Sequence, residues 1–136
     1  MFTRTCSVIV ASVLAVLSGC GPPRLDSPIS ATLDVSSNEK SFEVPAVKSE
    51  RTVVVEASSS NSEIDIYVVE ASKADKFAGD NYEGRAKNAL AAKQKVKSDT
   101  LEAKVPADTE AQVIIMLCDK GDRKKSEVTG KITSKK

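Results

Sequence analysis

From Ser30 onward, apolar and polar side chains alternate one for one, the pattern of strands that bury one face and wet the other. Ala31, Leu33 and Val35 alternate with Ser30, Thr32 and Asp34, until Ser36-Ser37-Asn38-Glu39 interrupts the run. Phe42 and Val44 alternate with Ser41 and Glu43, and Pro45-Ala46 turns the chain. A third strand is predicted from Arg51 to Ala57 around Val53-Val54-Val55, closed by Ser58-Ser59-Ser60-Asn61-Ser62. Ile64, Ile66 and Val68 alternate with Asp65, Tyr67 and Val69, and Leu101, Ala103 and Val105 with Thr100, Glu102 and Lys104. The segment Gln112 to Cys118 is almost wholly apolar, as a central strand covered on both faces would be, and Lys120-Gly121-Asp122 ends it. Val128, Gly130 and Ile132 mark the last strand. Short strands at this spacing predict an all-β domain, an antiparallel, jelly-roll-like β-sandwich of about seven or eight strands.

Two features interrupt the regularity. Val44-Pro45-Ala46 and Val105-Pro106-Ala107 each close one strand ahead of a strongly apolar one. Proline has no N–H to give a ladder, so it stops pairing and turns the chain. Residues 71–98 are ambiguous. Ala71 to Phe77 fits a short helix ended by Gly79-Asp80-Asn81, giving a helical or irregular insert near 71–88. Arg85 to Lys97 fits a helix through Ala86, Ala89, Leu90 and Lys93 and a strand through Leu90, Ala92, Gln94 and Val96.

Ahead of the strands, Arg4 precedes an apolar run from Cys6 to Leu17, the dimensions of a secretory signal and too short for a membrane span of roughly 20 residues. Leu17-Ser18-Gly19-Cys20 follows directly and resembles a bacterial lipobox. The resemblance implies a signal peptide over residues 1–19, cleavage between Gly19 and Cys20, and lipid on Cys20. Two or more acyl chains would hold the protein on a membrane, each buried CH₂ contributing about 0.8 kcal/mol. Gly21, where an Asp would favour inner-membrane retention, favours the outer membrane over the inner. Gly21-Pro22-Pro23 to Ile29 then reads as a Pro-rich tether, so that residues 20–29 carry the lipidated cysteine and the linker and residues 30–136 the sandwich.

Composition narrows the chemistry. Loss of Arg4 with the leader takes the 20 Lys and Arg to 19, equal to the 19 Asp and Glu. A neutral domain gives no electrostatic case for nucleic acid. The chain has no histidine, which removes Ser-His-Asp and Cys-His catalysis and the commonest metal ligand. With Cys6 in the leader and Cys20 lipidated, Cys118 stands alone, expected as a buried and inert thiol.

The mature part resembles the bacterial pre-peptidase C-terminal family of β-sandwich domains. Phe42-Glu43-Val44-Pro45-Ala46, Thr52 to Val55, Glu63-Ile64-Asp65-Ile66-Tyr67-Val68 and Thr100 to Ala107 carry the resemblance, over about residues 30–133. Asp108-Thr109-Glu110 departs from the Gly-Thr-Tyr-like step of that family, and the basic stretch 71–98 replaces a shorter loop. The resemblance implies an accessory domain on a bacterial surface, and it favours a strand near Ala89–Lys93.

Candidate chemistry in the strands is sparse. Asp65 lies between two core-facing isoleucines, so it points to the other face, where a structural hydrogen bond or an exposed position is expected. The loops Asp119–Asp122 and Asp75–Asp80-Asn81 offer carboxylates without an Asp-x-Asp-x-Asp-Gly calcium pattern. Arg123-Lys124-Lys125, Lys131, Lys135 and Lys136 suit a solvated face or anionic headgroups. The mature chain has four aromatic residues, Phe42, Tyr67, Phe77 and Tyr82, few for stacking sugars. The expectation is therefore a membrane-anchored envelope lipoprotein with no catalytic residues, metal or cofactor, an interaction or structural module whose partner is the membrane itself, an envelope protein or a polysaccharide. The rivals are a carboxylate-dependent hydrolase and a carbohydrate- or calcium-binding accessory domain.

Overall fold

In the computed structural model, residues 25–135 are described. Eight strands run in the order β1 (Asp26–Leu33), β2 (Glu39–Val44), β3 (Arg51–Ser59), β4 (Ile64–Glu70), β5 (Ala91–Val96), β6 (Ser98–Val105), β7 (Ala111–Leu117) and β8 (Ser126–Lys135). They form two antiparallel sheets, ordered β1-β8-β3-β6 and β2-β7-β4-β5. That order is a jelly roll, in which nearly every link crosses between the sheets. Between β4 and β5 lie a 3-10 turn (Ala71–Lys73) and two helices, α1 (Ala74–Ala78) and α2 (Tyr82–Asn88).

Period-two alternation builds the core. Ile29, Leu33, Val53, Val55, Leu101, Val128 and Ile132 face inward from the first sheet, and Ile64, Ile66, Val68, Val113, Ile115 and Leu117 from the second. Burying each such side chain contributes about 1.5–3 kcal/mol. Strand β7 is buried on both faces, as its apolar run predicts, because it is central to its sheet and carries a second apolar layer outside.

The two Val-Pro-Ala steps close β2 and β6, and each leads the chain across to the opposite sheet. Both corners sit at one end of the sandwich, where the Asp108 N–H donates to the Val47 carbonyl at 2.7 Å and an Arg51 Nη donates to the Pro45 carbonyl at 2.6 Å. Leu25 and Lys135 lie at this same end, since Asp26 pairs with Thr133 and Thr52 with Lys135. The links β1–β2, β3–β4, β5–β6 and β7–β8 gather at the other end, called distal below.

The elements differ from expectation at three places. Strand β1 starts at Asp26 and so includes the last residues of the expected tether. Pro28 is accommodated because β1 is an edge strand. Val35 is 69% exposed, outside the strand, because Asp34 bends the chain by accepting the N–H groups of Ser36 and Ser37 on its Oδ1. Over residues 85–97 both readings hold, each for one half: Arg85–Asn88 ends α2 and Ala91–Val96 is β5.

Candidate functional site

The insert does not hang free. It runs from the corner end toward the distal end and back, covering the outer face of β7, β4 and β5 and leaving that of the edge strand β2 exposed. Its two ends are tied by Ala71 N–H to the Glu110 carbonyl and Leu90 N–H to the Val68 carbonyl. Phe77 packs edge-on against Tyr67, ring centres 4.9 Å apart, and together with Val69, Ile114 and Met116 they make a second small core. Asn81 caps α2 by accepting the Gly84 N–H at 2.7 Å. Helices of five and seven residues are too short to persist alone, so this contact layer is what keeps them folded.

Under the insert the structure joins two residues that the sequence leaves unrelated, Asp65 and Cys118. Both are fully buried. Asp65 Oδ1 accepts the Lys95 N–H at 2.9 Å and Oδ2 accepts the Tyr67 O–H at 3.2 Å. Gln94 Nε2 donates to the Tyr67 oxygen at 2.7 Å and to the Tyr82 carbonyl at 2.9 Å. The Cys118 sulfur lies 3.6 Å from the Tyr82 hydroxyl. At the rim, an Arg85 Nη donates to Asp119 at 3.1 Å and the Lys120 ammonium sits 5.4 Å over the Tyr82 ring.

Burial sets the protonation behaviour of this cluster. It pushes the Asp65 carboxyl above its usual range, against the pull of its hydrogen bonds. Burial also pushes the Cys118 thiol up, Tyr67 up to about 12 and Tyr82 up. A thiol that is enclosed and hard to ionise is a poor nucleophile. The arrangement is suited to fixing the insert and the strand beneath it.

That strand, β5, carries an irregularity. Ile64 pairs with Val96 and Ile66 with Lys93, so Gln94 and Lys95 together oppose Asp65, a β-bulge. Ala91 and Val96 both pack on the main core although they are five residues apart. Strict alternation would put them on opposite faces, and the bulge restores the phase.

The bulge borders an open cleft of about 570 Å³ at the distal end, lined by Asn61, Ser62, Glu63, Lys95, Lys97, Lys120, Gly121 and Asp122. A second hollow of about 590 Å³ at the corner end is lined by Glu70, Asp108 and Glu110 among others. Among the described residues no three His, Cys, Asp or Glu side chains converge as a metal would require. In the two loops with clustered carboxylates, Asp119 is engaged with Arg85 and, at 4.0 Å, Arg123, and Asp80 accepts from the Asn88 amide. No described helix is long and apolar enough to cross a membrane. Gly19 and Cys20, the expected cleavage and lipidation residues, lie outside the described residues.

No family model matches the chain, and the comparison with curated proteins gives no match.

Proposed function

We propose that the chain is a lipid-anchored protein of the bacterial cell envelope, preferring the outer membrane to the inner, whose sandwich is a non-catalytic interaction or structural module. The observation that carries this reading is Leu17-Ser18-Gly19-Cys20 directly after the Cys6–Leu17 apolar run. The position of Leu25 supports it, since an anchor at Cys20 meets the sandwich at its corner end and leaves the distal loops facing outward. Strand β8, at ten residues, spans about 30 Å. With the corner end on the membrane and the strands upright, Arg123-Lys124-Lys125 at the far end would stand several Debye lengths from the headgroups at physiological salt. The membrane-facing lysine in this reading is Lys135. The enclosed Cys118 thiol and the burial of Asp65 support a binding or structural role over hydrolysis.

The test is metabolic labelling with radioactive palmitate, together with fractionation of cells carrying Cys20→Ser. The native chain is expected to take up label and sediment with membranes, and the variant to do neither. An unlabelled native chain that still sediments, or a variant that fractionates as the native chain does, overturns the reading.

A further inference from the structure

We infer that the distal cleft is a binding site for an acidic saccharide, a hydroxyl-rich chain bearing carboxylate or phosphate groups. It names a partner class for the interaction module proposed above and rests on that reading. It does not require lipid on Cys20, so the two can fail separately.

Three lysines from two segments of the chain meet at this cleft: Lys95 in β5 and Lys97 in the one-residue link that follows it, and Lys120 from the β7–β8 loop. None of the three ammonium groups is in an ion pair among the described residues, although Glu63 and Asp122 line the same cleft. Charges of both signs, held near each other without pairing, suit a ligand carrying both anionic groups and hydroxyls. The ammonium groups would take the anion, and the carboxylates the hydroxyl protons. Asn61 adds to this, because one N–H of its amide donates to the Lys125 carbonyl at 2.8 Å, which orients the amide and leaves its Oδ1 as an acceptor.

The backbone around the cleft is pinned. Lys95 holds a left-handed conformation, φ 59°, which costs a non-glycine residue about 1–2 kcal/mol. Asp65 fixes it there through the Lys95 N–H. Such outliers point from geometry toward function, and bulges characteristically re-aim a side chain. The Lys97 carbonyl accepts the Ser59 N–H at 2.7 Å, and Lys120 rests over Tyr82. At Gly121 a Cβ would stand 2.9 Å from Glu63 Oε1, so the bare backbone there makes room for the Glu63 side chain. A cleft fixed before binding loses little entropy on binding. With no aromatic among its lining residues, recognition is ionic and by hydrogen bonds, and therefore sensitive to salt.

The experiment titrates the full chain, in neutral detergent, with oligogalacturonate and with phosphomannan fragments. Dextran of equal length and poly-L-glutamate are the comparators, and amide chemical shifts and calorimetry the readouts. Saturable binding of at least one acidic saccharide is expected, with none to dextran and at least tenfold weaker binding to poly-L-glutamate. Shifts should centre on residues 61–63, 95–97 and 120–122, and the stronger saccharide identifies the anionic group. Lys95→Gln, Lys97→Gln and Lys120→Gln together should weaken binding at least tenfold, while Lys131→Gln with Lys135→Gln should not. If the triple variant does not fold, the shift map of the native chain decides. Absence of saturable binding, equal binding to poly-L-glutamate or dextran, shifts centred elsewhere, or an unaffected folded triple variant overturns the inference.

Discussion

Asp65 and Lys95 face each other across β4 and β5, and the buried carboxylate of the first accepts the backbone N–H of the second at 2.9 Å. This one contact joins the two layers of the distal end. On the inner side it secures the bulge that keeps both Ala91 and Val96 on the main core. On the outer side the same carboxylate receives the Tyr67 hydroxyl beneath the insert.

The first prediction concerns the strain at Lys95. Relief of the left-handed conformation by Lys95→Gly recovers about 1–2 kcal/mol, offset by about 0.5–1 kcal/mol of added chain entropy in the unfolded state. A net gain of about 0.5 kcal/mol in urea unfolding is expected, accompanied by weaker binding at the cleft. Lys95→Val, β-branched at a position of positive φ, should destabilise. Loss of stability in Lys95→Gly would show that the conformation is not strained.

The second prediction is a pH dependence. Burial holds the Asp65 carboxyl above its ordinary 3.8, so the folded chain binds that proton more tightly than the unfolded chain does. The stability this group contributes is therefore full below about pH 3.8 and is lost as pH climbs through the raised value. Asp65→Asn keeps an oxygen for the Lys95 N–H and does not titrate. The stability of the native chain minus that of Asp65→Asn should fall from pH 3 upward and then level. Asp34, whose carboxyl is held low by Ser36 and Ser37, acts in the opposite sense but is present in both proteins and cancels. A difference that rises or stays flat across the range contradicts the account.

How much of this was legible follows from what periodicity can report. Alternation gives the inward face of a strand, so Leu33, Val44, Ile66, Leu101 and Ile132 fall to the core from the sequence alone. It gives nothing about what covers the other face. Asp65 was rightly turned away from Ile64 and Ile66, yet its complete burial depends on Tyr82 and the insert, a contact between residues distant in the chain. Alternation fails where a bulge changes the phase, which is why β5 read equally as helix. Val35 kept the rhythm of β1, and only the bend at Asp34 removed it from the strand. Cys118 was expected as a buried thiol, but its meeting with Asp65 depends on the register of β4 against β7, in which Ile64 opposes Leu117, and register is invisible in single strands. The lysine cleft is hidden for the same reason, because Lys120 meets Lys95 and Lys97 only through the pairing of β4 with both β5 and β7.

The third prediction is at Gly130. Its φ is +157°, and a Cβ there would stand 1.9 Å from the Glu56 carbonyl oxygen. Strand β8 lies between β1 and β3, so neither neighbour can yield without breaking a ladder. Gly130→Ala should cost about 3 kcal/mol or more, read as a fall in the urea midpoint or failure to accumulate folded protein. A glycine inside an alternating strand was the available signal for this close approach. A folded Gly130→Ala protein within about 1 kcal/mol of the native chain would contradict it.

The last prediction uses Cys118 as a reporter on the insert. The thiol is enclosed and harder to ionise than a free cysteine, so at pH 7 a maleimide should modify it far more slowly than an unfolded control. Phe77→Ala removes the ring that packs on Tyr67 and should cost about 3–5 kcal/mol, concentrated in the small outer core. The main core keeps its own contacts. Labelling of Cys118 should therefore quicken by orders of magnitude in Phe77→Ala, while amide exchange in β3 and β8 changes much less. Arg85→Ala breaks one partly exposed ion pair to Asp119, worth about 1 kcal/mol or less, and should quicken labelling only several-fold. Cys20 must be lipidated or replaced by Ser for the measurement, so that Cys118 is the thiol observed. If Phe77→Ala raises thiol labelling and β3 exchange in equal proportion, the insert does not open separately and the two cores unfold as one.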